Sequence, residues 1–113
     1  MKPYEHSLSS VRKFGGCVED YLKIHRWFDE SKAGCPDIRH RAARHHSQGI
    51  FWAEDFFGNT ITNSDGKAVP VRAIGEQHVL EDMGWIPTLN DWLKSMKIEP
   101  WMGRRKKDAS CPD

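Results

Sequence analysis

Residues 37–58 read DIRHRAARHHSQGIFWAEDFFG, and how this stretch folds decides the architecture. Ala42, His46, Ile50, Ala53 and Phe57 are spaced by four, four, three and four, so on a helix they line one face. The spacing predicts a long helix over 37–57 that Gly58 closes, with Pro36 suited to its first turn. The same ten residues from Asp37 to His46 hold three histidines and three arginines. At about 100° per residue, His46 falls near the centre of the apolar face, His45 at its edge and His40 roughly opposite.

Upstream, residues 5–13 suggest a short helix ended by Gly15-Gly16, and Val18 to about Ser31 a second one with Val18, Tyr21, Leu22, Ile24 and Phe28 as its apolar side. Downstream, two β-prone runs flank Asp65-Gly66 within 59–72, a hairpin signal, and Pro70 makes its strand an edge. Residues 73–83 form a fourth helix stopping at Gly84. Thr88 caps a fifth, with Asp91 completing the capping pattern. The expectation is a mainly α (α+β) fold: a compact bundle of about five helices with one β-hairpin near residues 59–72. Residues 1–100 make a single domain, and 101–113, with Arg104-Arg105-Lys106-Lys107, a basic, flexible tail.

At 113 residues the chain suits one modest core. A formal net charge of +1 neither demands nor excludes nucleic acid as a partner. Hydrophobic content of 38%, with five tryptophans and five phenylalanines, indicates a folded globule. No apolar run approaches the roughly 20 residues of a membrane span, and no signal-peptide core opens the chain, so a cytoplasmic setting is expected. The three cysteines, Cys17, Cys35 and Cys111, have neither the parity nor the spacing of a disulfide framework or zinc knuckle. Walker, dinucleotide-binding and nucleophile-elbow motifs are absent.

The chemistry therefore has to come from the histidines. His25 and Asp29 are spaced i, i+4 and fall on the apolar stripe of the second helix, a spacing that suits two ligands of one ion or a carboxylate fixing an imidazole's tautomer. Polar groups on a buried face need partners, because desolvating them unpaired costs several kcal/mol. The candidate metal ligands are His25, Asp29 and His46, with His45 or a carboxylate of the fourth helix completing the set. Such N/O ligation suits Zn²⁺, Mn²⁺, Fe²⁺ or Ni²⁺. The alternative is a metal-free core hydrogen-bond network. On the fourth helix, Glu76 is a candidate ligand or general base and His78 a candidate proton shuttle. A solvated helix side is the other reading. Arg39, Arg41 and Arg44 give the third helix a basic surface for phosphate or an acidic partner, unless they pair with Glu19, Asp20 and Glu30. Trp27, off the main stripe, could mark a partner surface with Phe51, while Trp52, Trp85 and Trp92 suit the core.

The runs Lys2-Pro-Tyr-Glu-His-Ser, Ile24-His25-Arg-Trp-Phe-Asp29, Arg39-His40-Arg-Ala-Ala-Arg-His45-His46-Ser-Gln-Gly-Ile-Phe51, Ile61-Thr-Asn-Ser-Asp-Gly66, Gly75-Glu-Gln-His78-Val and Ile86-Pro-Thr88 resemble an uncharacterised, domain-of-unknown-function family of small bacterial and phage proteins. The resemblance covers nearly all of residues 2–95. It implies a compact single domain and an origin in mobile elements, with no activity to carry over. A more distant likeness is to HD-domain phosphohydrolases, which also draw His and Asp ligands from several helices, although this chain lacks an adjacent His-Asp pair. Two functions follow as expectations. One is a divalent-metal-dependent phosphoester or nucleotide hydrolase, with Arg44 or Arg41 holding the phosphate. The other is an anti-defence protein of phage or mobile-element type that binds a host protein, a nucleotide signal or a nucleic-acid complex.

Overall fold

Five α-helices and one hairpin make up the described part of the chain, residues 1–103 of a computed structural model. The elements are α1 (Pro3–Phe14), α2 (Val18–Asp29), α3 (Ser47–Phe57), β1 (Thr60–Thr62), β2 (Ala68–Pro70), α4 (Val71–Met83) and α5 (Leu89–Leu93). Short 3-10 turns cover Glu30–Ala33, Ile38–Ala43 and Pro100–Met102. The mainly α fold with one hairpin is as the sequence predicts. The basic run Arg104–Lys107 lies outside the described residues. No helix among the described residues is long and apolar enough to cross a membrane.

Helix α2 is the central element. Tyr21, Ile24, His25 and Phe28 form one buried stripe, the i, i+3, i+4, i+7 pattern of a core-facing helix. Against it pack Ile50 and Ala53 of α3, Val69 of β2, and Val71, Ile74 and Val79 of α4. Gly75 lets α4 approach closely, since a Cβ there would stand 3.0 Å from Phe28 Cζ. That approach brings His78, one turn further on, against the polar end of α2.

The turn between α1 and α2 uses Gly15 and Gly16, at φ of 84° and 75°, conformations that L side chains rarely adopt. It is tied to the hairpin: the buried Asn63 donates to the Phe14 carbonyl (3.1 Å) and the Tyr21 hydroxyl (3.2 Å), and Asp20 accepts from the Ser64 backbone N–H (3.0 Å). The strands pair antiparallel, Ile61 opposite Val69, and Pro70 leads directly into α4.

The long helix expected over 37–57 is a correction. The chain makes a 3-10 turn at Ile38–Ala43, where Asp37 accepts from the Arg39 N–H. It then extends at His46 (φ −164°, ψ 171°), whose ring nitrogen accepts from the Gly49 N–H and caps α3. An unbroken helix would separate His40 and His45 by about 140°. The break turns both inward, at 8% and 0% exposure. The carbonyl of His45 accepts from Trp92 Nε1 (2.9 Å) and the Pro87 carbonyl from the Ser47 N–H (2.8 Å), so α5 and its leading loop hold this bend.

Candidate metal centre

Helix α1 buries a polar face: His6, Ser7 and Ser10 are all at 0% exposure. They meet His25 of α2, His78 of α4 and His45 from the bend, each also fully buried. Asp29 (14% side-chain exposure) and Asp82 (2%) close the cluster. Eight polar side chains from four segments thus occupy a volume that apolar groups would otherwise fill. Each must find a partner, because an unpaired polar group there costs several kcal/mol.

The centre of the cluster is four atoms: Asp29 Oδ1, His45 Nε2, His78 Nε2 and Asp82 Oδ2, all within 4.8 Å of one another. His45 Nε2 stands 2.9 Å from Asp82 Oδ2 and 3.4 Å from Asp29 Oδ1. His78 Nε2 is 3.3 Å from each of the same two oxygens. A tetrahedral ion with bonds of about 2.1 Å separates its ligands by about 3.4 Å. The four nitrogen–oxygen separations, 2.9–3.4 Å, lie at or under that value, and the donors are the N/O set that suits a first-row transition ion.

A second histidine group, His6, His25 and His78, also brings its nitrogens within 4.8 Å. Its hydrogen bonds leave less room for an ion. His6 Nδ1 donates to Glu81 Oε1 (2.8 Å) and Nε2 to Asp82 Oδ1 (3.1 Å). With a carboxylate at each end, His6 is an imidazolium. Both nitrogens of His25 are engaged too, one by Ser10 Oγ (2.8 Å), the other by His78 Nδ1 (2.9 Å).

The electrostatics follow from these partners. Burial alone would raise the Asp82 and Asp29 pKa values. Hydrogen bonds from His45, His6 and His78 to Asp82, and from His45 and His78 to Asp29, overcome it and hold both carboxyls well below the usual range. Glu81 is held down in the same way, burial being outweighed by Ser9, His6 and Gln77. Burial likewise opposes charge on His6 and His45, yet their carboxylate neighbours raise both above the ordinary imidazole value. Among the described residues, His25 has no carboxylate in hydrogen-bonding reach. Burial, then the positive charges of His78 and His6, push it down to about 2.

Asp29 and Asp82 also face outward, onto the floor of a cleft of about 440 Å³. Lys2, Arg26, Lys32, His40 and Arg41 line it, with Glu5 as the acidic member of the rim. Arg41 is loosely held: Nη1 is 3.5 Å from the Asp82 carbonyl, Nη2 3.9 Å from Asp82 Oδ1, and the buried Nε has no partner among the described residues.

Of the residues the sequence singles out, Asp29, His45 and His78 meet in the four-atom group and His25 stands behind His78. His46 does not join them. Its Nδ1 accepts from the Gly49 N–H (2.9 Å) and its Nε2 donates to the Ala43 carbonyl (3.1 Å), so both nitrogens serve the backbone. Glu76 is exposed on the far side of α4 rather than facing inward. Arg39 is paired with Asp37 in solvent (2.7 Å), and Arg44 with the Trp27 carbonyl (2.6 Å) and Glu30 (3.0 Å). Of the three arginines, Arg41 alone lines the cleft. Trp27 is 8% exposed beneath the Arg44 guanidinium, 4.0 Å from the ring, whereas Trp52 (40%) and Trp85 (54%), expected in the core, are exposed.

His6, Ser10 and Gln77 complete the cluster without a mark in the sequence reading, and the fourth-helix carboxylate expected there is Asp82. The signal for Asp82 is in the sequence: His78 and Asp82 are spaced i, i+4, as His25 and Asp29 are. His6 and Ser10 share that spacing, but on a helix whose buried face is polar, so no apolar period marks them.

No curated protein and no solved structure matches the chain. The model of one protein family matches residues 1–102, and the chain belongs to that family, described as a domain of unknown function (DUF6915).

Proposed function

We propose that this domain binds one divalent transition ion through Asp29, His45, His78 and Asp82, and uses it to hydrolyse a phosphoester or nucleotide. The observation that carries the reading is a buried four-atom N/O group with nitrogen–oxygen separations of 2.9–3.4 Å, whose two carboxylates form the floor of a cleft with a basic rim. A bound ion would lower the pKa of a coordinated water and polarise a phosphoryl oxygen. Arg41, which lines the cleft and is held only loosely beside Asp82, supplies the charge that would hold the substrate phosphate. Lys2, Arg26 and Lys32 extend that charge around the rim.

Phosphatase and phosphodiesterase assays with nitrophenyl phosphates and nucleotides, run with Zn²⁺ or Mn²⁺, test this. Turnover should require the ion, vanish in His78→Ala and show a raised KM in Arg41→Ala. Absence of turnover in an ion-loaded protein would exclude the hydrolase and leave a metal-stabilised fold.

A second reading draws on a different surface. A cleft of about 900 Å³ is lined by Trp27, Trp52, Phe56 and Phe57 with Arg26 and Arg44. Phe51, Trp52 and Phe56 are exposed at 48%, 40% and 70%, and exposed aromatics with arginine are the composition of binding hot spots. The bacterial or phage origin that the resemblance implies would give such a surface a host protein as its target. Binding lost in Trp52→Ala but retained in His78→Ala would favour it.

A further inference from the structure

The two histidines of the four-atom group are held differently, and the difference follows from one chain of hydrogen bonds. It begins at Gln77, whose amide orientation its neighbours fix. Its NH₂ lies 2.9 Å from the His6 carbonyl and 2.9 Å from Glu81 Oε1, both pure acceptors, so Oε1 must be the atom facing Ser10. Ser10 Oγ has three neighbours at hydrogen-bonding distance: Gln77 Oε1 (2.8 Å), the His6 carbonyl (3.1 Å) and His25 Nε2 (2.8 Å). Its single proton goes to one of the two oxygens, since donating to His25 would leave both acceptors facing a lone pair. His25 Nε2–H therefore donates to Ser10.

His25 is fully buried with no carboxylate partner, so it is neutral and its Nδ1 carries the lone pair. Among the described residues, the only donor on that lone pair is His78 Nδ1–H, at 2.9 Å. His78 Nε2 then points, 3.3 Å from Asp29 Oδ1 and 3.3 Å from Asp82 Oδ2, into a position that needs a positive charge. A bare lone pair facing two carboxylates is repulsive. Either a proton on Nε2 or a metal ion must stand between them.

His45 has no such support. Its Nε2 faces the same carboxylates, but its buried Nδ1 has no partner among the described residues. Metal-bound histidines nearly always anchor the second nitrogen.

We propose that Gln77, Ser10 and His25 form a relay that fixes the Nδ1–H tautomer of His78, making it the permanent nitrogen ligand of the ion, while the unanchored His45 is the ligand that water or substrate replaces. The relay residues are positioning residues, and the three-ligand set Asp29, His78 and Asp82 leaves a position open for chemistry. This inference rests on the metal reading proposed above, and the experiment separates the two.

Long-range ¹H–¹⁵N spectra of the zinc-loaded protein should report His25 with its proton on Nε2 and His78 with its proton on Nδ1. The opposite pattern at either residue overturns the relay. Zinc titrations of Ser10→Ala, Gln77→Leu and His45→Ala follow. Loss of the relay should weaken zinc by about 10–100-fold, and more than His45→Ala does. If the wild type takes up zinc but the relay variants bind as tightly, the inference fails and the metal reading stands. If the folded wild type takes up none, the metal reading fails and takes the inference with it.

Discussion

Replacing Asp82 by asparagine removes one negative charge from the centre of the cluster while keeping its size. The carboxylate is 2% exposed and accepts from His6 Nε2 at 3.1 Å and His45 Nε2 at 2.9 Å, with His78 Nε2 at 3.3 Å. Its Oδ1 also accepts from the Met1 amine at 3.2 Å. An asparagine can turn its oxygen to one of these sides only, and its NH₂ then meets an N–H of the other. The His6 imidazolium keeps Glu81 alone. Breaking a buried charge pair by removing one partner costs about 3–5 kcal/mol. For a domain of this size the lower figure corresponds to a Tm fall of about 12 °C or more. The assay is thermal unfolding of chelator-treated protein, so that no ion contributes. Asp37→Asn is the control, because the Asp37–Arg39 pair is solvent-exposed (53% and 82%) and its loss should leave Tm unchanged. A fall in the Asp82→Asn protein no larger than in this control would refute the idea that Asp82 neutralises a buried cationic cluster.

The ion-free protein should be most heat-resistant near the unfolded imidazole value, about pH 6.5, because His25 and His46, held below that value by burial, lose their contribution as pH falls beneath it. Asp29, Asp82 and Glu81 lie below their unfolded values, so their contribution is present above the unfolded carboxylate range and lost as pH falls toward the folded values. His6 and His45 lie above theirs, so their contribution is full below the unfolded imidazole value and lost as pH rises through the folded ones. An optimum above about pH 8 without metal would contradict these assignments. Metal binding should run the other way, strengthening as pH rises because imidazole must be deprotonated to ligate. His46→Ala should cost roughly 0.5–2 kcal/mol in urea unfolding through loss of the α3 cap and leave zinc affinity unchanged. A large loss of zinc binding in that variant would return His46 to the ligand set.

The helices, the hairpin and the Asp65-Gly66 turn were legible because each is set by local chemistry: apolar periods, a glycine pair, a capping threonine. Helix α3 was misread at its start. The apolar period runs through Ala42 and His46, and only the side-chain cap at His46 and the burial of His40 and His45 show that the chain breaks there. That break is also what exchanges His46 for His45 at the site. His25 and Asp29 were legible from their spacing on an apolar stripe. They flank His78, His25 meeting its Nδ1 and Asp29 lying 3.3 Å from its Nε2. His6 and Ser10 were not legible, because α1 buries a polar face whose logic appears only when α4 supplies Gln77, Glu81 and Asp82.

Crystals grown with Zn²⁺ or Mn²⁺ and measured at the metal absorption edge test the central claim most directly. The account predicts one strong anomalous peak per chain, about 2.0–2.2 Å from Asp29 Oδ1, His78 Nε2 and Asp82 Oδ2, and no peak in Asp82→Asn. An ordered, unliganded cluster at millimolar metal, or a peak located at other side chains, would contradict it.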